Sequence, residues 1–184
     1  MSNCDVACIV GGLPQNVSKE IFYTLIGLAN KYNKKTLFSA SGEELAYGIE
    51  ASPYIVVLDT LELENLTNLK LDYEYEIIKA AQYILEKGCS IVVISLSNNG
   101  SIVLTEENIY RVDISNIEIS HCKMNFAYML GGFAMALERN YDFEMLLKIG
   151  HSYGIVDCFK SREDIDMSDI KRIMGEVQIN KFNY

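Results

Sequence analysis

The sequence predicts an α/β fold, in which a central sheet lies between layers of helices and continues into a small antiparallel meander. Short apolar runs that end in turn residues, such as Val6–Val10 before Gly11, are typical of buried parallel strands. The segments between these runs carry apolar residues at helical spacing, as from Phe22 to Tyr32. Asn99-Gly100 is a strong hairpin signal, which predicts that the later strands run antiparallel.

The first half of the chain alternates predicted strands with predicted helices. A helix follows Ser18 as its N-cap, and Ser41 opens a second, shorter helix. The clearest helical pattern ends before Gly88, a residue that favours helix termination. The predicted strands cover residues 6–10, 36–38, 54–58 and 91–95, and the predicted helices end near residues 32, 49, 66 and 87.

The second half is predicted to hold the meander and then three helices. Its strands cover residues 102–104, 109–112 and 117–119, and its helices cover residues 125–139, 143–153 and 169–176. The sequence has no internal repeat, no low-complexity tract and no linker rich in Pro, Gly or Ser. We therefore expect a single domain over residues 1–184.

Composition excludes several classes of protein. A formal net charge of -9 argues against nucleic acid and anionic membranes as partners. Apolar runs are shorter than a membrane span, and the first residues lack the pattern of a signal peptide. Five cysteines without a Cys-x-x-Cys pair indicate reduced thiols, and two histidines are too few for a His-rich metal site. These features predict a cytoplasmic protein.

Three blocks of sequence match known motifs: residues 11–14 resemble a Gly-Ser-Leu-Pro turn, residues 39–45 resemble Asp-Thr-Ser-Gly-Glu-Ala-Leu, and residues 53–63 resemble Pro-Tyr-Leu-Ile-Lys-Pro-Asn-x-x-Glu-Leu. These motifs belong to the PfkB (ribokinase-like) carbohydrate kinases, which the sequence therefore resembles. The resemblance is closest to the tagatose-6-phosphate kinase and 1-phosphofructokinase branch. It implies a three-layer, ribokinase-like (Rossmann-like) sheet between helices. It also implies truncation at the N-terminus, because full-length relatives carry a further half with the sugar-binding residues.

Asp59 and Glu62 match the Asn-x-x-Glu element, which organises magnesium and phosphate in the family. Two carboxylates at this spacing could hold Mg²⁺ through water. They also suit a helix capping box, which needs the same residue types at the same spacing. The cap is the favoured interpretation, because no phosphate-binding turn survives nearby in the sequence.

Residues 92–100 resemble the family's Val-Val-Ser-Leu-Gly-x-x-Gly block, whose glycines let the backbone approach the nucleotide. Ser97 replaces the first glycine, and Gly100 is retained. Because Asn99-Gly100 also suits a two-residue hairpin, turn geometry is the favoured reason for Gly100.

The family's catalytic Gly-Ala-Gly-Asp-Ser turn is missing. With Gly132 aligned to the family's Gly-Phe, Met124-Asn125-Phe126-Ala127-Tyr128 stands opposite that turn. The resemblance implies that Ala127 occupies the position of the aspartate that removes the proton from the sugar hydroxyl. It leaves Ser97, Gly100, Asn125 and Gly132 as remnants of nucleotide and phosphate binding.

Two histidines are weaker candidates. His151 is interpreted as a surface or satisfied histidine rather than a ligand, and larger residues around it replace the small ones that make room for adenine. His121 beside Cys122 suggests a thiolate nucleophile, but no third orienting group is identifiable.

The favoured hypothesis is a degenerate sugar-phosphate kinase homologue without phosphotransfer activity or cofactor, with a binding, regulatory or remnant role. The alternative is an active kinase of the tagatose-6-phosphate or fructose-1-phosphate type, which uses ATP and Mg²⁺ and is completed by a partner chain. A binder of an unrelated small molecule is a third option. A sugar phosphate or a nucleotide is the candidate ligand. A homodimer is expected, because truncation would expose the sheet edge beside Val6–Val10.

Overall fold

The computed structural model describes residues 4–114, 117, 123–158 and 165–182. Within these residues the helices and strands alternate and then give way to a meander, as the sequence predicts. The strands are β1 (Val6–Val10), β2 (Lys35–Ser39), β3 (Ile55–Asp59), β4 (Ile91–Ser95), β5 (Ser101–Thr105), β6 (Ile109–Asp113) and β7 (Gln178–Lys181). The helices are α1 (Ile21–Lys31), α2 (Gly42–Ile49), α3 (Thr60–Thr67), α4 (Glu74–Glu86), α5 (Phe126–Glu138), α6 (Phe143–Ile155) and α7 (Met167–Glu176).

The strands form one sheet whose spatial order follows the chain, from β1 at one edge to β7 at the other. Strands β1 to β4 pair in parallel, and β4 to β7 pair antiparallel. The carboxyl ends of β1 to β4 therefore meet at one edge of the sheet, which we call the carboxyl edge. In open α/β sheets, this is where ligands bind.

Two apolar clusters hold the helices to the two faces of the sheet. Because neighbouring strand residues point to opposite faces, Phe38 faces the layer of α1 to α4 and Leu37 faces the layer of α5 to α7. Both side chains are fully buried. This arrangement confirms the predicted three-layer α/β fold.

Two local predictions need correction, and one strand, β7, was not predicted. The N-cap position of α1 is Glu20 rather than Ser18, and no side chain caps this helix. The β4–β5 connection is longer than a two-residue hairpin, because a short 3₁₀ turn at Ser97–Asn99 precedes Gly100. Strand β7 has no apolar run to indicate it, and it exists because its backbone pairs with β6. The predicted strand at 117–119 falls mostly outside the described residues.

The structure also bears on the predictions about thiols and membranes. Cys158 is disulfide-bonded, so the expectation of reduced thiols is wrong for this residue. Cys8 and Cys89 carry free thiols. Among the described residues, no helix is both long and apolar enough to cross a membrane.

Candidate functional site

The candidate site is a cavity of about 460 Å³ at the carboxyl edge, beside the start of α5. Asp59 at the end of β3 and Ser95 at the end of β4 contribute to its wall. The other residues that line it are Thr60, Leu61, Glu64, Ser97, Lys123, Met124 and Phe126.

The two carboxylates of the predicted metal pair point in different directions. Asp59 caps α3, since its Oδ1 accepts a hydrogen bond from the backbone amide of Glu62 at 2.8 Å. Glu62 does not return that bond. Its Oε2 instead accepts from the backbone amide of Gly42, at the start of α2, at 2.8 Å. Asp59 is therefore the helix cap that the sequence suggests, whereas Glu62 stabilises the N-terminus of a different helix.

Other carboxylates at the carboxyl edge are also bonded to backbone amides. Glu64 accepts from the amide of Leu71 at 2.8 Å, and Glu44 accepts from the amide of Leu13 at 3.3 Å. An amide that donates to a protein carboxylate is not free to donate to a phosphate. In the described part of the chain, no cluster of three or more His, Cys, Asp or Glu could hold a metal ion.

The β4–β5 turn keeps glycine-like backbone geometry at both family positions. Gly100 has a φ of +92°, and a Cβ there would lie 2.0 Å from the carbonyl oxygen of Val112. Ser97 has a φ of +55°, in the left-handed region that favours glycine. Gly100 is thus required by the turn itself, and Ser97 adopts a backbone conformation that glycine tolerates better than serine.

The start of α5 is filled by side chains. Asn125 caps the helix, since its Oδ1 accepts from the amide of Tyr128 at 3.2 Å. Met124 is buried, and its Sδ accepts a hydrogen bond from the Ser95 hydroxyl at 3.5 Å. Phe126 forms part of the cavity wall. The space where a Gly-rich turn would expose its amides is therefore occupied by a cap and two large apolar groups.

Ala127 is exposed and lines a second cavity, of about 600 Å³, between α5, α6 and α7. The carboxylate of Asp166 lines the same cavity, but its Oδ1 caps α7 by accepting from the amide of Ser168 at 2.7 Å. Gly132 is in the α5–α6 contact, where an added Cβ would lie 3.1 Å from the Cα of Gly150. That glycine serves close helix packing and lines neither cavity.

Two charged residues lie near the site although no sequence motif predicts them there. Lys123 lines the 460 Å³ cavity and supplies it with a positive charge. Asp157 follows α6, and its Oδ2 accepts from the side-chain amide of Asn125 at 3.0 Å. Its Oδ1 is buried without a hydrogen-bond partner in the described part of the structure. Because 32 residues separate Asn125 from Asp157, only the folded chain brings them together.

His151 is a buried core residue with both ring nitrogens bonded. Its Nδ1 lies 2.7 Å from the carbonyl oxygen of Leu147, so this nitrogen carries the proton and donates. Its Nε2 lies 2.5 Å from the Ser101 hydroxyl, which donates to it. Burial lowers the pKa of His151 to about 4 and keeps the ring neutral. The satisfied-histidine interpretation is confirmed, while His121 and Cys122 lie outside the described residues.

In sequence and in fold the chain is similar to one class of protein, the PfkB-family sugar kinases, to which its homologues and structural neighbours belong. The 1-phosphofructokinase of Escherichia coli strain K12 is 26% identical over 180 residues, which are 97% of this chain and 58% of that enzyme. The chain thus spans a little over half the length of the curated relatives that it matches. No family model matches it.

Solved structures show the same similarity. Phosphofructokinase-2 from Escherichia coli, in complex with potassium, has a TM-score of 0.82 at 25% identity and covers 92% of this chain and 56% of that one. The same enzyme has a tetrameric inhibited form. A Staphylococcus aureus protein, provisionally described as a phosphofructokinase, has a TM-score of 0.82 at 17% identity and supports the fold alone. Its match covers 97% of this chain and 58% of that one. The resemblance and the ribokinase-like fold are confirmed.

Proposed function

We propose that this chain is a degenerate PfkB-type sugar-phosphate kinase homologue without phosphotransfer activity, with a binding or regulatory role or as a remnant. The main support is Ala127, which stands where the family has its catalytic aspartate. A methyl group cannot accept the proton of a sugar hydroxyl. Loss of a general base costs about 10²–10⁴-fold in rate.

The neighbouring carboxylates do not replace the missing base. Asp166 lines the same cavity as Ala127 but caps α7, and Asp157 is bonded to the side chain of Asn125. The start of α5 is also a poor binding site for phosphate, because the amide of Tyr128 already donates a hydrogen bond to the side chain of Asn125. In the family, free amides at this point stabilise the transferring phosphate.

Neither Mg²⁺ nor ATP suits the groups at the carboxyl edge. Asp59, Glu62 and Glu64 each accept a hydrogen bond from a backbone amide, and these bonds compete with metal coordination. Ser97 brings a side chain to the position where the family lets its backbone approach the nucleotide. We therefore propose that the chain uses no cofactor.

One observation favours the alternative, an active sugar-phosphate kinase of the tagatose-6-phosphate or fructose-1-phosphate type. Lys123 and Asp59 line the same cavity, so a cation for a phosphate and a carboxylate for Mg²⁺ are both present. In this alternative a partner chain supplies the sugar contacts, and ATP with Mg²⁺ is the cofactor.

A phosphotransfer assay and a nucleotide titration separate the two proposals. The purified chain is given ATP, Mg²⁺ and tagatose 6-phosphate or fructose 1-phosphate, with heat-killed protein as the control. We expect no product above that control, whereas a thermal shift with ATP or ADP would identify a nucleotide as the ligand of an inactive chain. Turnover above the control would overturn the proposal.

Substitutions at Glu62 separate metal binding from helix capping. Glu62→Gln keeps an oxygen that can accept from the Gly42 amide but removes the charge, whereas Glu62→Ala removes both. If Mg²⁺-ATP binds by calorimetry and both variants abolish binding, the alternative gains support. If only the melting temperature of Glu62→Ala changes, Glu62 is a helix cap.

The remaining proposals concern organisation. We propose a single domain over residues 1–184, a cytoplasmic location and a homodimer. The dimer proposal rests on the position of β1 at one edge of the sheet among the described residues. A sugar phosphate or a nucleotide remains the candidate ligand, and the net charge of -9 disfavours nucleic acid and membrane surfaces.

A further inference from the structure

A third cavity, of about 1060 Å³, lies at the opposite end of β4 from the candidate site. The β4–β5 register pairs Ile91 with Thr105, and the β5–β6 register pairs Leu104 with Ile109, so these strand ends meet the end of α4 here. We call this space the amino-end cavity. The residues that line it belong to the segments 82–90, 104–109 and 181–182. Its walls lie on the half of the sheet away from β1, so they do not depend on what pairs with β1.

The floor of the amino-end cavity is apolar. Leu104 and Cys89 are buried, and Leu85, Ile109 and Phe182 are partly buried against the cluster that faces α1 to α4. Burial raises the pKa of the Cys89 thiol to about 12, so the thiol stays protonated and forms part of this floor. An apolar lining with a few charged groups around it is typical of a ligand site.

The rim of the cavity is negative. Glu86, Glu106 and Glu107 line the cavity and are exposed, and Lys181 is the one basic residue among the lining residues. Three carboxylates and one ammonium group leave the lining with two negative charges. Within the part of the chain that the structure describes, none of these four side chains is ion-paired. Their charges are therefore available to a ligand.

The end of α4 adds to the negative potential. Carbonyl groups at a helix C-terminus carry a partial negative charge, which favours cations nearby. The last turn of α4 contains no basic residue. Lys87 follows the helix but is directed elsewhere, since its Nζ lies 2.7 Å from Oε1 of Glu50 and over the ring of Tyr83. The amino-end cavity therefore suits a ligand with positive charge.

The carboxylates of the rim do not converge on a single point. Among the described residues, no group of three or more His, Cys, Asp or Glu could hold a metal ion, so Glu86, Glu106 and Glu107 do not coordinate one ion together. A ligand that satisfies this rim needs separate positive charges. The apolar floor between them suits a hydrocarbon chain that joins those charges.

We propose that the amino-end cavity binds an aliphatic polyamine, which is a flexible methylene chain with two or more ammonium groups. The ammonium groups pair with the carboxylates of the rim, and the methylenes cover Leu85, Leu104 and Phe182. Ammonium groups at the rim keep part of their hydration, which limits the cost of binding them. The inference concerns a site away from the carboxyl edge, and it holds whether or not the chain is catalytic.

Calorimetry with spermidine gives the first test. Spermidine is titrated into the purified chain at low ionic strength, and we expect saturable binding that weakens as salt is added. Hexanediol has methylenes without charge, and Mg²⁺ has charge without a chain, so neither should displace spermidine at an equal concentration. Absence of saturable binding would overturn the inference, and so would displacement by Mg²⁺.

Matched substitutions separate the cavity from the charge of the whole chain. Glu106→Gln with Glu107→Gln should weaken spermidine binding by about fivefold to tenfold, because each exposed ion pair contributes modestly. Glu20→Gln with Glu138→Gln removes the same charge at exposed residues outside the cavity and should leave binding unchanged. Ser90→Arg places a cation in the cavity wall and should abolish binding, whereas Ser90→Ala should not. Equal effects of the two double variants would contradict the proposed site.

Amide chemical shifts locate the bound amine. When spermidine is added, the amides of residues 86–90 and 105–109 should shift, whereas those of Ser97 and Ala127, in the other two cavities, should not. Shifts at Ser97 would place the amine at the candidate site instead. Shifts spread over all exposed acidic residues would show a non-specific attraction to the net charge of -9. Either pattern would rule out the amino-end cavity as the binding site.

Discussion

Two neighbouring parts of the carboxyl edge differ in how closely they match the kinase motifs that they resemble. The β4–β5 turn keeps its backbone geometry, including a left-handed residue at Ser97 and a glycine without room for a side chain at Gly100. The start of α5 keeps its helix but carries Phe126 and Ala127 where glycine and aspartate are expected. Under the proposed function, geometry fixed by packing persists, whereas groups needed only for catalysis are replaced.

The largest expected effect comes from Gly100. Gly100→Ala should destabilise the chain by about 3–5 kcal/mol, because its Cβ would collide with the Val112 carbonyl and its φ of +92° disfavours a side chain. Urea unfolding followed by circular dichroism measures the change. Gly27→Ala is the control, since no atom lies within 4 Å of its added Cβ. Equal stability of the two variants would show that the turn is not constrained by packing.

The next effect concerns the pH dependence of stability, which we attribute to His151. This residue is hydrogen-bonded to Ser101, directly after the same turn. The pKa of His151 is lowered to about 4 in the folded chain, below its ordinary value of 6.5 in the unfolded chain. Between these two values the unfolded state binds the additional proton, so stability falls as the pH decreases from 6.5 to 4. The loss attributable to this residue should reach about 3 kcal/mol, at about 1.4 kcal/mol per pH unit.

The measurement is the free energy of unfolding against pH for the chain and for His151→Asn. The variant should be less stable near pH 7, because the bond to Ser101 and the edge contact with Phe133 are lost or altered. Its stability should, however, depend less steeply on pH in this window. Parallel curves would mean that other groups cause the acid sensitivity.

At the start of α5, Asn125 should matter more than an ordinary helix cap. Asn125→Ala removes the cap on Tyr128 and also the donor to Asp157, leaving that half-buried carboxylate with fewer partners. We expect a loss of about 2 kcal/mol by chemical unfolding. Asp142→Ala removes a cap from α6 and nothing else that the structure describes, so it should cost about 1 kcal/mol. Equal losses of stability in the two variants would show that the hydrogen bond between Asn125 and Asp157 contributes nothing measurable to the free energy of unfolding.

The sequence predicts the fold well because apolar runs and helical spacing determine which segments bury their side chains. The helix cap at Asp59 also follows from local residue types. The partner of Glu62 does not, since Gly42 lies on a different helix and the same carboxylate suits a cap, a metal or a distant amide. The role of Asp157 and the existence of strand β7 cannot be predicted from the sequence either, because both depend on contacts with residues far away in the chain.

The smallest expected effect has the opposite sign. Ser97→Gly should stabilise the chain by up to about 1 kcal/mol, because glycine adopts a φ of +55° without steric cost. Ser52 is the matched control, with the same φ of +55°, but its hydroxyl donates to the Lys87 carbonyl at 2.6 Å. Ser52→Gly should therefore be neutral or destabilising. If Ser97→Gly lowered the melting temperature, the serine would have a role of its own in the turn, and packing alone would not explain why the turn persists.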